Sequence, residues 1–233
     1  MELKKNEKGQ VIDKPYFREM FQDEMGEADE IIEIGNNLLE KYTGVLPDEL
    51  LMHWKKYGLS SFCDGLFWFT NPEEYEEVIK NYLIDTPLGD RKNLFVIARS
   101  AFGMLFIWEK EKGKISIIVL LSNLISLNAV KDRQKLSVED EEYEMNRFIG
   151  TFDPEDLDRK DESKKPLFER ALKKFGKLKS NEIYGYKLNP ALGGKESIRN
   201  LDKVDLFTYA NIQLEIERPT LSVIDTENKT YAC

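Results

Sequence analysis

The chain has 233 residues, 41% of them hydrophobic, enough to bury a sizeable core without disulfide or metal staples. Its net charge of −9 lacks the basic footprint that direct nucleic-acid binding needs, and suits either solubility or the capture of a basic partner. One histidine and two cysteines exclude a histidine-rich metal site and a disulfide framework, and no apolar run reaches the ~18 residues of a membrane span.

Residues 1–15 are polar and charged and lack the apolar core of a signal peptide, so cytoplasmic residence is expected. A loose arm is expected there, or an edge strand around Val11-Ile12. Phe17, Phe21, Ile31, Ile32, Ile34, Leu38 and Leu39 then recur at helical spacing over 16–42, with Gly26 as an interruption. The acids between them (Asp23, Glu24, Glu27, Asp29, Glu30 and Glu33) read as a solvated helix face or as part of a partner-binding edge. Pro47-Asp48-Glu49 opens a further helix. Proline sacrifices no hydrogen bond in a first turn, and acids suit the positive end of the helix dipole. Leu50, Leu51, Trp54 and Tyr57 mark its apolar face and Gly58 its end. His53 has no second histidine with which to share a metal or relay a proton, and reads as structural.

Residues 65–69 read as a strand, and Asn71-Pro72 as the capped start of a helix reaching Tyr82. Three β-runs follow at 93–99, 104–109 and 114–121. Their connections are too short for helical crossovers, which predicts an antiparallel meander within a sheet of four or more strands. Ser137 starts another helix, and Glu139, Asp140, Glu141, Glu142 and Glu144 make the densest acidic block. The loop spacing of an EF-hand is missing, so the block reads as a solvated face or a partner-facing ridge.

Residues 154–165 are almost wholly charged and form the candidate hinge between a domain at 1–153 and a second, at 154–233, packed on the first. Phe168, Leu172 and Phe175 make a helical stripe ending at Gly176. Ile183, Tyr184, Tyr186 and Leu188 then supply a β-prone run, and Pro190 with Gly193-Gly194 a turn. Val204 to Ile216 is expected as the last helix, although Ile212, Leu214 and Ile216 also alternate as a strand would; 221–224 is a possible closing strand. The fold class is α+β: an antiparallel sheet flanked by helices, with a smaller, mostly helical C-terminal lobe.

Catalytic patterns are missing. Neither a Walker loop, nor Gly-x-Gly-x-x-Gly, nor Gly-x-Ser-x-Gly occurs. Cys63 and Cys233 are expected as free thiols, Cys63 buried and inert between Phe62 and Leu66. The expectation is a non-enzyme without metal or cofactor.

The most informative stretch is Tyr184-Gly185-Tyr186, Pro190-Ala191-Leu192-Gly193-Gly194, Ser197-Ile198, and Leu201 with Lys203-Val204-Asp205. Upstream stand Leu46-Pro47, Trp54, Tyr57-Gly58, Asp64-Gly65-Leu66-Phe67-Trp68 and Asn71-Pro72-Glu73-Glu74-Tyr75. In that order these resemble, over roughly 40–215, the bacterial type VI secretion DNase-immunity proteins, which join a GAD-like N-terminal domain to a C-terminal immunity domain. The resemblance implies a cytoplasmic inhibitor that binds and occludes a cognate toxin, a basic nuclease, and touches neither DNA nor membrane itself. It makes the acidic block Glu139, Asp140, Glu141, Glu142 and Glu144 a toxin-facing ridge that mimics DNA phosphate. Tyr184 and Tyr186 are candidate aromatic anchors or core residues. The alternatives are a scaffold for host proteins and an enzyme with an unrecognised carboxylate or Cys63 site. The oligomeric state is left open.

Overall fold

A computed structural model describes residues 14–128 and 135–224; the side chains of Glu30, Asn128 and Ile224, the Val11-Ile12 segment and Cys233 lie outside that description. The N-terminal part runs α1 (Lys14–Met25), β1 (Ala28–Glu30), α2 (Asn36–Tyr42), α3 (Asp48–Tyr57), β2 (Ser61–Phe62) and β3 (Phe67–Phe69). A 3-10 turn, Pro72–Tyr75, leads into α4 (Glu76–Leu83). The meander follows as β4 (Leu94–Ser100), β5 (Met104–Glu109), β6 (Gly113–Val119) and β7 (Leu124–Asn128). The remainder is α5 (Val138–Gly150), α6 (Pro154–Leu157), α7 (Phe168–Phe175), β8 (Glu182–Tyr186), β9 (Leu201–Asp205), α8 (Leu206–Ile216) and β10 (Thr220–Ile224).

The main sheet has eight strands in the order β1-β2-β3-β4-β5-β6-β7-β10. Every pairing is antiparallel except the last, where β10 lies parallel to β7 in register from Thr220 opposite Leu124 to Ile224 opposite Asn128. The meander therefore forms as its short connections require. Its strands read as continuous apolar runs because both faces of the sheet are covered. On one face, Phe67 and Phe106 meet Phe21 of α1 and Phe148 and Phe152 around the end of α5. On the other, Trp68 and its cross-strand neighbour Arg99 face the C-terminal lobe. One continuous buried cluster runs from Phe21 to Ala210.

Several local expectations change. The pattern at 16–42 is two helices, because Gly26 takes φ +70° and the chain after it pairs with the segment following α3: Ala28 faces Phe62, and Leu59 N–H donates to Ile32. The acids here are not all a solvated face. Asp29 accepts from Ser61 Oγ (3.0 Å), Asp64 N (3.0 Å) and Gly65 N (2.9 Å). Residues 154–165 are no loose hinge. Asp153 caps α6, and Asp158 Oδ1 accepts from the backbone of Arg159, Leu167 and Phe168. The last helix starts later than expected, since Leu201–Asp205 pairs along its whole length with Glu182–Tyr186. Asp205 then caps α8 by accepting from Thr208 N at 2.8 Å.

Candidate functional site

The acidic ridge divides by what its carboxylates hold. Ser137 caps α5 through Asp140 N (3.1 Å), which places Glu139, Asp140 and Glu141 in the first turn at the positive end of the dipole. Glu141 turns inward and accepts from Trp108 Nε1 (3.1 Å) and Glu111 N (2.8 Å). Glu142 accepts from Asp48 N (2.5 Å) and Glu49 N (3.1 Å), so a side chain of α5 caps α3; Lys14 Nζ sits 3.3 Å away. Glu144 pairs with Arg147 one turn along, at 2.9 Å. Within the block only Glu139 and Asp140 are exposed, and Asp140 Oδ2 accepts from Ser137 Oγ at 2.9 Å. They stand beside a cleft of about 430 Å³ between α5 and the loop 44–48, where Val138 is 78% exposed.

The two tyrosines belong to the core. Tyr184 is 0% exposed, its hydroxyl donates to Gly176 O at 2.8 Å, and burial pushes its pKa up to about 12. Tyr186 is 3% exposed. Neither presents a ring to a docking partner. The glycine between them has a physical cause. A Cβ on Gly185 would lie 2.6 Å from Val204 Cγ2 and 2.9 Å from Tyr209 Cε2, so α8 crosses β8 where there is no side chain.

The turn after β8 is held by side-chain amides. Asn189, 6% exposed, accepts from Ala191 N (2.6 Å) and donates to Gln213 of α8, itself 2% exposed. Asn200 accepts from Leu188 N (3.1 Å) and donates to Leu188 O (2.8 Å) and Lys195 O (2.9 Å). Gly193 adopts φ +88°, and a Cβ on Gly194 would stand 1.9 Å from Leu188 O, which explains the double glycine.

A second polar cluster lies between α1 and α3. Arg18 donates to both carboxylate oxygens of the buried Glu49, Nε to Oε1 at 2.5 Å and Nη2 to Oε2 at 2.7 Å. His53, 5% exposed, places Nε2 3.7 Å from Glu49 Oε1, and its Nδ1 has no partner among the described residues. Burial lowers the His53 pKa from 6.5 to about 4, against the pull of Glu49. The unfolded chain therefore takes up the proton first as pH falls. The stability this provides is complete above about pH 6.5 and is lost as pH drops towards 4, a change of about 3 kcal/mol. Urea unfolding between these limits should show that slope in the native protein and lose most of it in His53→Leu; equal slopes would refute the assignment.

Neither His53 nor Cys63 is poised for chemistry. Cys63 contacts Met25 O at 3.3 Å, and burial pushes its thiol to about 11, with Asp29 and Asp64 adding to the shift. Among the described residues no group of three or more His, Cys, Asp or Glu side chains is placed to hold a metal, and no helix is long and apolar enough to cross a membrane.

Comparison with known proteins gives two family matches. Residues 16–122 match the GAD-like domain, and residues 142–217 match the C-terminal domain of the type VI secretion immunity protein Tdi1. The chain belongs to the type VI secretion immunity family. A solved relative of this immunity protein is Atu4351 from Agrobacterium tumefaciens, 25% identical, with a TM-score of 0.76 over 88% of this chain and 91% of that one. Curated proteins give no match. The β7–β10 pair lies outside both matched spans.

Charge in the immunity protein is unevenly divided. Residues 1–153 carry 29 acidic and 19 basic side chains, whereas 154–233 carry 14 and 15. The acidic excess thus lies within residues 1–153. The whole-chain charge of −9 averages the two regions.

Proposed function

We propose that this immunity protein binds a cognate secreted DNase in the cytoplasm and covers its active surface without catalysing any reaction. The C-terminal match over residues 142–217 is the observation that carries the reading. A DNA-binding nuclease surface is basic, and the exposed carboxylates of Glu139 and Asp140, on the strongly acidic region 1–153, suit its approach. Glu141, Glu142 and Glu144 add to the same field while holding α5 in place. On this reading the acidic excess of 1–153 steers the encounter, and the immunity-type domain, whose match begins within α5 at residue 142, docks on the toxin.

The test is a pull-down of the tagged full-length chain from cells that make the toxin, with bound chains identified by mass spectrometry and assayed for DNA cleavage. One near-stoichiometric basic nuclease, silenced by added immunity protein, is the expected result. Recovery of housekeeping proteins alone would favour a host scaffold. With the partner in hand, Glu139→Gln/Asp140→Asn should slow association roughly 3- to 10-fold at low salt and leave dissociation nearly unchanged. An unaltered association rate would remove these two residues from the steering surface.

A further inference from the structure

We infer that the turn between β8 and β9 is a second contact of the immunity protein: Leu188 and Leu192 enter an apolar cleft of the toxin whose rim carries carboxylates. The inference rests on the toxin-binding reading above. It starts from an unusual combination. Leu188 is 46% and Leu192 58% exposed, yet the backbone that carries them is firmly built. Leu192 N donates to Asn189 O at 2.9 Å, Gly194 N to the same carbonyl at 3.1 Å, and Lys187 N to Asn200 O at 2.7 Å. Behind them the buried Asn189–Gln213 pair ties the turn to α8.

Stabilising the fold does not require two leucines in water. A rigid turn does suit binding, because side chains already held in place lose little conformational freedom when a partner closes over them. Apolar anchors entering a pocket carry most of the energy of an interface.

The surrounding charge selects the occupant. Lys187, Lys195 and Arg199 are exposed on the same turn, and none forms an ion pair among the described residues. This is the opposite sign to the acidic end of α5. A nuclease offers both complements: basic walls that follow the DNA backbone and a group of carboxylates that holds its catalytic metal. The end of α5 suits the walls, and the leucine turn with its basic rim suits the carboxylate-bearing cleft. Occlusion then reaches the reacting centre as well as the DNA track.

The probe is the toxin chain recovered in the pull-down, immobilised and titrated with the full-length immunity protein. Leu188→Ser/Leu192→Ser should raise Kd about 100-fold, chiefly through faster dissociation, with thermal unfolding unchanged because both side chains are exposed. Lys187→Glu/Lys195→Glu should weaken binding about 10-fold through repulsion of the carboxylate rim. Native affinity in the leucine variant, with slower association in Glu139→Gln/Asp140→Asn, would overturn this inference and leave the toxin-binding reading standing. Failure to recover any toxin would overturn both. A wild-type dimer in sedimentation that the leucine variant converts to monomer would make the turn a self-interface, and would also overturn it.

Discussion

Replacing Arg99 with alanine should destabilise the protein by about 4 kcal/mol, read as a lower urea midpoint with an unchanged slope. Arg99 is 1% exposed and lies 4.6 Å from the ring centroid of Trp68. Its Nη2 donates to Ser180 O (2.8 Å) and Lys179 O (3.3 Å), and its Nη1 to Ser100 O (3.3 Å). Carbonyl dipoles and an aromatic face thus hold a charge that burial disfavours, with Tyr75 favouring it in return. Alanine removes the charge-assisted bonds to Ser180 O and Ser100 O, leaves Lys179 O with the Glu182 N–H alone, and opens a void under Trp68. Lysine should recover only part of the loss, since an ammonium cannot both stack and fork. A cost below about 1 kcal/mol for alanine would show that Arg99 is not a strut between the GAD-like sheet and the C-terminal lobe.

Removing Arg18 should be nearly as damaging, and worse than removing its partner. The Glu49 side chain is 1% exposed, whereas that of Arg18 is 38% exposed. Arg18→Ala leaves a buried carboxylate with only Lys14 Nζ, 3.9 Å away, and the distant His53 nitrogen, and should cost about 3–4 kcal/mol at neutral pH. Glu49→Leu frees a guanidinium that can hydrate, and fills the space between α1 and α3 with apolar atoms, so its cost should be about 1–2 kcal/mol. Chemical denaturation of the two single variants decides the point. The reverse ranking would mean that Arg18 contributes mainly through packing.

The local grammar of the fold was legible wherever one residue type forces one geometry. Ser137 caps a helix, Pro72 occupies a first turn behind Asn71, and the short connections at 101–103 and 110–112 permit only hairpins. Legibility failed where a long-range partner decides. Lys203-Val204-Asp205 continues a helical pattern in the sequence, but hydrogen bonds to Glu182–Tyr186 make it a strand. The two-residue β2 is too short for any periodic signal. At the candidate site, the acidic block was visible as composition. Which oxygens would be consumed was not, because Glu141 and Glu142 find their donors 30 and 93 or more residues away. The exposure of the leucines in the β8–β9 turn is hidden in the sequence for a related reason. A Pro-Ala-Leu-Gly-Gly sequence announces a turn, but exposure depends on what the rest of the chain leaves uncovered. The asymmetry of charge between the two regions is present in the sequence, but a single net charge hides it.

The parallel seating of β10 on β7 also bears on how the protein is born. The meander β4 to β7 can assemble while the chain is still emerging, yet the free edge of β7 gains its neighbour only after residues 220–224 have left the ribosome. Until then a nascent chain exposes an unsatisfied strand edge alongside a partly formed core. Loss of the final strand by premature termination should therefore yield sticky, short-lived polypeptide rather than a half-strength inhibitor. A cell that depends on intact antidote before the poison arrives should therefore be protected only once β10 has been made and seated on β7.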